Sequence, residues 1–187
     1  MTSIDQQKIN ELVTLYKNGA FKEVLKKSVS LLEKDPNNYF INNICGMTNF
    51  SLGNYQESSK FFIRAIEINP NNFEAHNNLA TSLNYDGKFE DSIKSYKKAL
   101  KIKPESTEIL NNIGNTLKDL GRFEEALDYY IKSIEINPKI KIAKSNIIKT
   151  LAFYKPKETT INPYVKADSK LQDLKITFND DEKLTDI

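Results

Sequence analysis

Core-type side chains recur twice at helical spacing between residues 73 and 104, with one break between the two runs. Phe73, His76, Leu79, Ala80 and Leu83 share one helix face, and Asp86-Gly87 interrupts them. Phe89, Ser92, Ile93, Tyr96, Ala99 and Leu100 then resume the pattern as far as Pro104. Glycine suits a left-handed turn closing the first helix, where any Cβ would be penalised. Proline has no N–H to continue the second helix and ends it. The alternation repeats along the chain every 34 positions, at Pro36, Pro70, Pro104 and Pro138 and at Gly19, Gly53, Gly87 and Gly121. An aromatic ring follows each glycine by two residues, at Phe21, Tyr55, Phe89 and Phe123. Three markers keeping one interval four times over define a tandem repeat with units 5–38, 39–72, 73–106 and 107–140. In the first two units the turn-forming pair Asn37-Asn38 or Asn71-Asn72 follows the proline.

Beyond the fourth unit, residues 141–154 read as another first helix without its partner. Ala143, Ile147, Ile148 and Leu151 are expected to cover the open end of repeat four, the capping role that stacked arrays need. Residues 155–187 break the period. Asn162-Pro163 suits a helix start, and Tyr164, Ala167, Leu171, Leu174 and Phe178 fit one apolar stripe. This stretch is expected to be a C-terminal extension, partly helical or disordered, either docked on the array or a linker once joined to a further domain.

The repeat resembles the tetratricopeptide repeat (TPR), whose signature places large, small and aromatic residues at fixed offsets before a proline over 34 residues. The fourth unit matches it most closely, with Leu110, Ile113, Gly114, Leu117, Ala126, Tyr130 and Pro138. The second offers Asn42, Cys45, Gly46, Asn49, Ser58, Phe62, Ala65 and Pro70, and the third His76, Leu79, Ala80, Leu83, Ser92, Tyr96, Ala99 and Pro104. The first unit diverges, with Leu12 where Gly or Ala is usual and Ser28 in place of the aromatic. The resemblance implies an all-α fold, a right-handed α-solenoid of four TPR helix-turn-helix repeats plus a capping helix over residues 5–154.

Composition narrows the chemistry. The chain has 187 residues, 27 basic and 25 acidic side chains, and a net charge of +2. That balance makes no electrostatic case for nucleic acid, which needs a clustered basic surface. Cys45 is the single cysteine and His76 the single histidine, which excludes an internal disulfide framework and His-pair metal sites. No Gly-rich phosphate loop, nucleophile elbow or metal-ligand spacing appears. There is no secretory signal and no run of roughly 20 apolar residues to span a bilayer. A non-enzymatic cytoplasmic protein is expected, with no cofactor, no metal, no nucleic acid and no membrane among its partners. His76 sits in the large-residue slot and is read as a packing histidine, and Cys45 as a buried small hydrophobe. Glu57, Glu90-Asp91 and Glu124-Glu125 open the second helices, where acids favour the helix dipole.

In arrays of this family the first helices line the concave face, which sets equivalent positions side by side. One column is Asn43, Asn77 and Asn111; a second is Asn10, Asn78, Asn112 and Asn146, with Ile44 departing, and Asn115 lies a turn beyond Asn111. An amide both donates and accepts, so a row of them pairs with the main chain of an extended peptide. Asn is also a mediocre helix former, which argues for a use other than folding. The row resembles the asparagine ladder in the TPR superhelix of protein O-glycosyltransferases. The competing reading is inter-helix hydrogen bonding, or drift in a chain with 21 asparagines. Phe40 and Tyr85 are candidate anchors for an apolar ligand side chain, whereas Phe50 is read as packing between helices. The family's carboxylate-clamp positions fall on Ile9, Val13, Asn77, Asn78 and Thr81, or on Asn43, Met47, Asn111, Asn112 and Asn115. Neither set supplies a cation, which disfavours a chaperone-tail ligand. The expected function is a protein-interaction scaffold holding a protein or peptide ligand in the concave groove. The alternatives are a substrate-presenting module of a larger glycosyl-, sulfo- or hydroxyl-transferring enzyme, or self-association through Ile142, Ile148 and Phe153 or the first repeat.

Overall fold

The 34-residue alternation becomes pairs of helices joined by tight turns. The computed structural model describes residues 6–153, and the expected extension over 155–187 lies outside the described residues. The described residues form α1 (Gln6–Lys17), α2 (Phe21–Leu32), α3 (Tyr39–Ser51), α4 (Tyr55–Ile68), α5 (Phe73–Tyr85), α6 (Phe89–Ile102), α7 (Thr107–Asp119), α8 (Phe123–Ile136) and α9 (Lys141–Phe153). They fall in two compact units that divide between Lys103 and Pro104. The first holds α1–α6 and the second α7–α9.

Local chemistry sets each boundary. Gly53 adopts φ +78°, its N–H donates to Phe50 O at 2.9 Å, and Asn54 N–H reaches back to Asn49 O at 2.9 Å. This left-handed closure satisfies the last carbonyls of α3, and a Cβ there would be strained by the backbone alone. The first helix of the next repeat is capped by a side chain. Asn38 Oδ1 accepts from Ile41 N at 3.2 Å, Asn72 Oδ1 from Ala75 N at 2.8 Å, and Ser106 Oγ from Ile109 N at 3.4 Å. The second asparagine of each Asn-Asn pair is therefore an N-cap as well as a turn residue. Asn42 and His76 tie the same turn down. Asn42 Nδ2 donates to Pro36 O at 3.0 Å, and His76 Nε2 lies 2.9 Å from Pro70 O. Both side chains are buried.

In the first unit α1, α3 and α5 touch in order, α2 bridges α1 and α3, α4 bridges α3 and α5, and α6 lies on α5. No comparable contact joins α2 to α4 or α4 to α6. The first helices are thus the tighter row, and the unit curves toward them. In the second unit α7, α8 and α9 all touch one another.

Size complementarity within each repeat decides how closely its two helices approach. Gly46 lies against the Phe62 ring, and a Cβ on it would stand 2.6 Å from that ring. Gly114 lies in the same way against the Tyr130 ring, which leaves no room for a Cβ. The third repeat places Ala80 and Tyr96 at these positions, and the first reverses the sizes with Leu12 and Ser28, both buried. Hydroxyls join the helices beside these contacts. Ser58 Oγ donates to Gly46 O at 2.8 Å, and Ser92 Oγ donates to Ala80 O at 2.7 Å.

Cys45 belongs to the core of Leu12, Val24, Leu31, Ile41 and Ile44. Burial pushes its thiol up from 9.0 to about 11. The fold favours the neutral thiol, so this contribution is intact below the unfolded value of 9.0 and is lost as pH rises toward 11. Urea midpoints measured at pH 8 and 10.5 are expected to show an alkaline loss of about 1–2 kcal/mol in the wild type that Cys45→Ala lacks. Equal pH slopes in the two proteins would contradict the burial of this thiol.

Candidate functional site

The face that α1, α3 and α5 turn away from their second helices is the inner face of the first unit. Its middle is uncharged, because the register places Ile9 and Val13 on α1, Asn43 and Met47 on α3, and Asn77, Asn78 and Thr81 on α5. Asn43, Asn77 and Asn78 are half-buried. Asn43 Nδ2 has Met47 Sδ at 3.6 Å, a weak acceptor, and its Oδ1 is buried with no hydrogen-bond partner. Thr81 Oγ1 donates to Asn77 O at 3.0 Å and lies 2.9 Å from Tyr96 Oη, which couples α5 to α6.

Aromatic side chains stand at both ends of this face. Phe40 is 61% exposed at the start of α3, edge-on to Tyr39 at 5.5 Å. Tyr85, also 61% exposed, ends α5. Its ring meets Phe50 at 5.1 Å and Tyr55 at 5.3 Å, so Phe50 packs between helices beneath an exposed tyrosine. Phe40 borders an open apolar depression between α1 and α3, of about 130 Å³, with Ile9, Val13, Asn43 and Met47 on its walls. Along the sequence these residues stand apart. The signal for their grouping was the apolar pair Ile9 and Val13 at positions that the third and fourth repeats fill with Asn77 and Thr81 and with Asn111 and Asn115.

The second unit carries the remaining amides on α7 and α9. Asn111 is buried, and its Nδ2 donates to Thr107 O and to Ser133 Oγ, both at 2.7 Å. Both amide protons therefore point inward, and Asn111 joins α7 to α8 rather than standing as an outward rung. Ser133 explains the difference: the equivalent residues of the second and third repeats are Ala65 and Ala99, which have no hydroxyl to accept. Asn115 Oδ1 accepts from Tyr130 Oη at 2.8 Å. Asn112 and Asn146 are half-buried, and Asn146 Nδ2 has no hydrogen-bond partner.

The outer surfaces have a different character. Glu57 pairs with Lys60, Glu67 with Arg64, Asp91 with Lys94 and Glu125 with Arg122, all exposed pairs three residues apart. The Lys94 ammonium holds the Asp91 carboxyl below its ordinary range by hydrogen bonding. Glu57, Asp91 and Glu125 are solvated helix starts, whereas Glu67 lies in the last turn of α4. Among the described residues no cluster of three or more His, Cys, Asp or Glu side chains is arranged to hold a metal ion, and no helix is long and apolar enough to cross a membrane.

Comparison with known proteins agrees with this architecture. Family profiles described as tetratricopeptide repeat match residues 43–72, 61–94 and 107–140, and one described as TPR repeat matches 82–121. No curated protein matches the sequence. Among solved structures, YrrB, described as a TPR protein with an unusual peptide-binding site, is 21% identical with a TM-score of 0.69, over 90% of this chain and 87% of its own. MamA from Desulfovibrio magneticus RS-1 (residue 41 to the end) is 13% identical with a TM-score of 0.74, over 91% of this chain and 93% of its own. MamA AMB-1 is 26% identical with a TM-score of 0.63, over 70% and 76%. The fold class shared with these structures is the all-α solenoid of helix pairs.

Proposed function

This chain belongs to the tetratricopeptide repeat family of protein-interaction scaffolds, and from that membership we propose that its ligand is a peptide segment laid along the inner face of α1, α3 and α5. The observation that carries the reading is the uncharged middle of that face, where Asn43, Asn77 and Asn78 project as half-buried amides between exposed Phe40 and Tyr85. Amides pair with a peptide's own N–H and C=O groups, and so hold a main chain without demanding particular side chains. Tyrosine and phenylalanine add contact area for little loss of entropy. The peptide-binding site named in the description of YrrB supports the same use of the fold here. Asn112, Asn115 and Asn146 are the corresponding candidates in the second unit, and Asn111 is set aside because its donors are occupied.

Selection of displayed random dodecapeptides on the full chain, followed by calorimetry, tests the reading. Asn43→Ala combined with Asn78→Ala is expected to weaken the selected peptides about 30-fold, as two lost hydrogen bonds of about 1 kcal/mol each require. The far-ultraviolet circular dichroism is expected to stay unchanged. Wild-type affinity in the double variant would remove the amide row from the binding face.

A further inference from the structure

The inner face of the first unit changes chemistry from one helix to the next. The positions of Asn77 and Thr81 on α5 are filled by Asn43 and Met47 on α3, and by Ile9 and Val13 on α1. On α5 the surface is polar, with Thr81 Oγ1 lying 2.9 Å from Tyr96 Oη of α6. Between α1 and α3 it stays open, and Ile9, Val13, Phe40 and Met47 wall a depression of about 130 Å³ whose lining includes no charged side chain. Val13 is 38% exposed and Phe40 61% exposed. Water gains nothing from either, and folding alone would be served as well by polar residues there.

We infer that this depression is a specificity pocket for one bulky apolar side chain, of leucine to phenylalanine size, in the interior of the bound peptide; the inference rests on the peptide-binding reading above and states which peptides qualify. Two features select that occupant. The uncharged lining disfavours a lysine, a carboxylate or a chain terminus, because each would be desolvated without a counter-charge. Asn43 stands in the wall with a weak sulfur contact on its nitrogen and no partner on its oxygen. An amide in that state turns at little cost to meet the peptide group beside an inserted side chain, which an internal residue supplies on both sides. Truncating the anchoring residue of a bound peptide to alanine is expected to weaken it about 10- to 100-fold.

A probe independent of any selected peptide tests the pocket. The full chain, labelled at Ile, Val and Met methyl groups, is titrated with N-acetyl-leucinamide and, separately, N-acetyl-alaninamide while the methyl resonances are followed. The leucine amide is expected to shift Ile9, Val13 and Met47 saturably, and the alanine amide to leave them in place. Val13→Trp, whose ring fills the depression, is expected to abolish the Ile9 and Met47 shifts while keeping the wild-type melting temperature. Met47→Phe serves as a second filled variant should Val13→Trp disturb folding. Absence of a leucine-specific shift, or its survival in the filled variants, would overturn the pocket. Selected peptides that bind without moving these methyls would overturn it too, yet leave the peptide-binding reading standing. Entry of leucinamide together with a selection that yields no binding peptide would support the pocket and count against the longer peptide groove.

Discussion

Phe62→Ala is expected to cost about 3–5 kcal/mol of folding stability, the range for removing a fully buried aromatic side chain. Phe62 is 1% exposed, and its ring lies directly on Gly46. The glycine has no side chain with which to fill the space, so the cavity left by the ring stays largely open. Urea denaturation followed by helical circular dichroism is expected to show the transition at markedly lower denaturant. A shift equivalent to less than about 1 kcal/mol would mean that α3 and α4 are not held by this contact, and that the close approach described for the repeat is wrong.

A size exchange in the same repeat is expected to produce the second large effect. Gly46→Leu forces branched carbons into the Phe62 ring, since even a Cβ would stand 2.6 Å from it. Overpacking of this severity costs about 3 kcal/mol. Phe62→Ser alone is expected to cost at least as much as Phe62→Ala, because it adds a buried hydroxyl to the lost volume. The first repeat already lives with the reversed arrangement, in which Leu12 and Ser28 occupy these two positions and both are buried. Gly46→Leu with Phe62→Ser is therefore expected to recover about 1–3 kcal/mol relative to the sum of the single changes. Strict additivity in the same denaturation measurement would show that the two positions do not exchange volume.

The helix pairs were legible in the sequence because their punctuation is local. A glycine at positive φ and a proline that ends a helix act on their own neighbours, so the 34-residue interval displays them without any tertiary knowledge. The divergence of the first repeat was also legible at Leu12 and Ser28, but its physical sense appears only when each is compared with Gly46 and Phe62. The amides were harder. Asn43 and Asn111 look equivalent along the chain, yet Asn111 faces a hydroxyl on the opposite helix and Asn43 does not. That difference is written at Ser133, 22 residues further on, and is invisible to a reading of one helix face. Asn38 and Asn72 were recognisable as turn formers, whereas their capping bonds depend on an extended backbone just before the helix. The depression between α1 and α3 escaped for a related reason: Ile9 and Val13 stood out only as positions without a cation.

Every helix contact in the first unit joins elements at most two apart in order, with α2 and α4 each serving as a spacer between first helices. The chain therefore closes only short loops as it assembles, and the conformational search grows little with each added hairpin. Such a ladder gathers in microseconds to milliseconds from whichever hairpin happens to start, and zips outward from there. The groove that would receive a ligand is thus assembled by the same short-range steps that build the repeats, without waiting for the two ends of the chain to find each other.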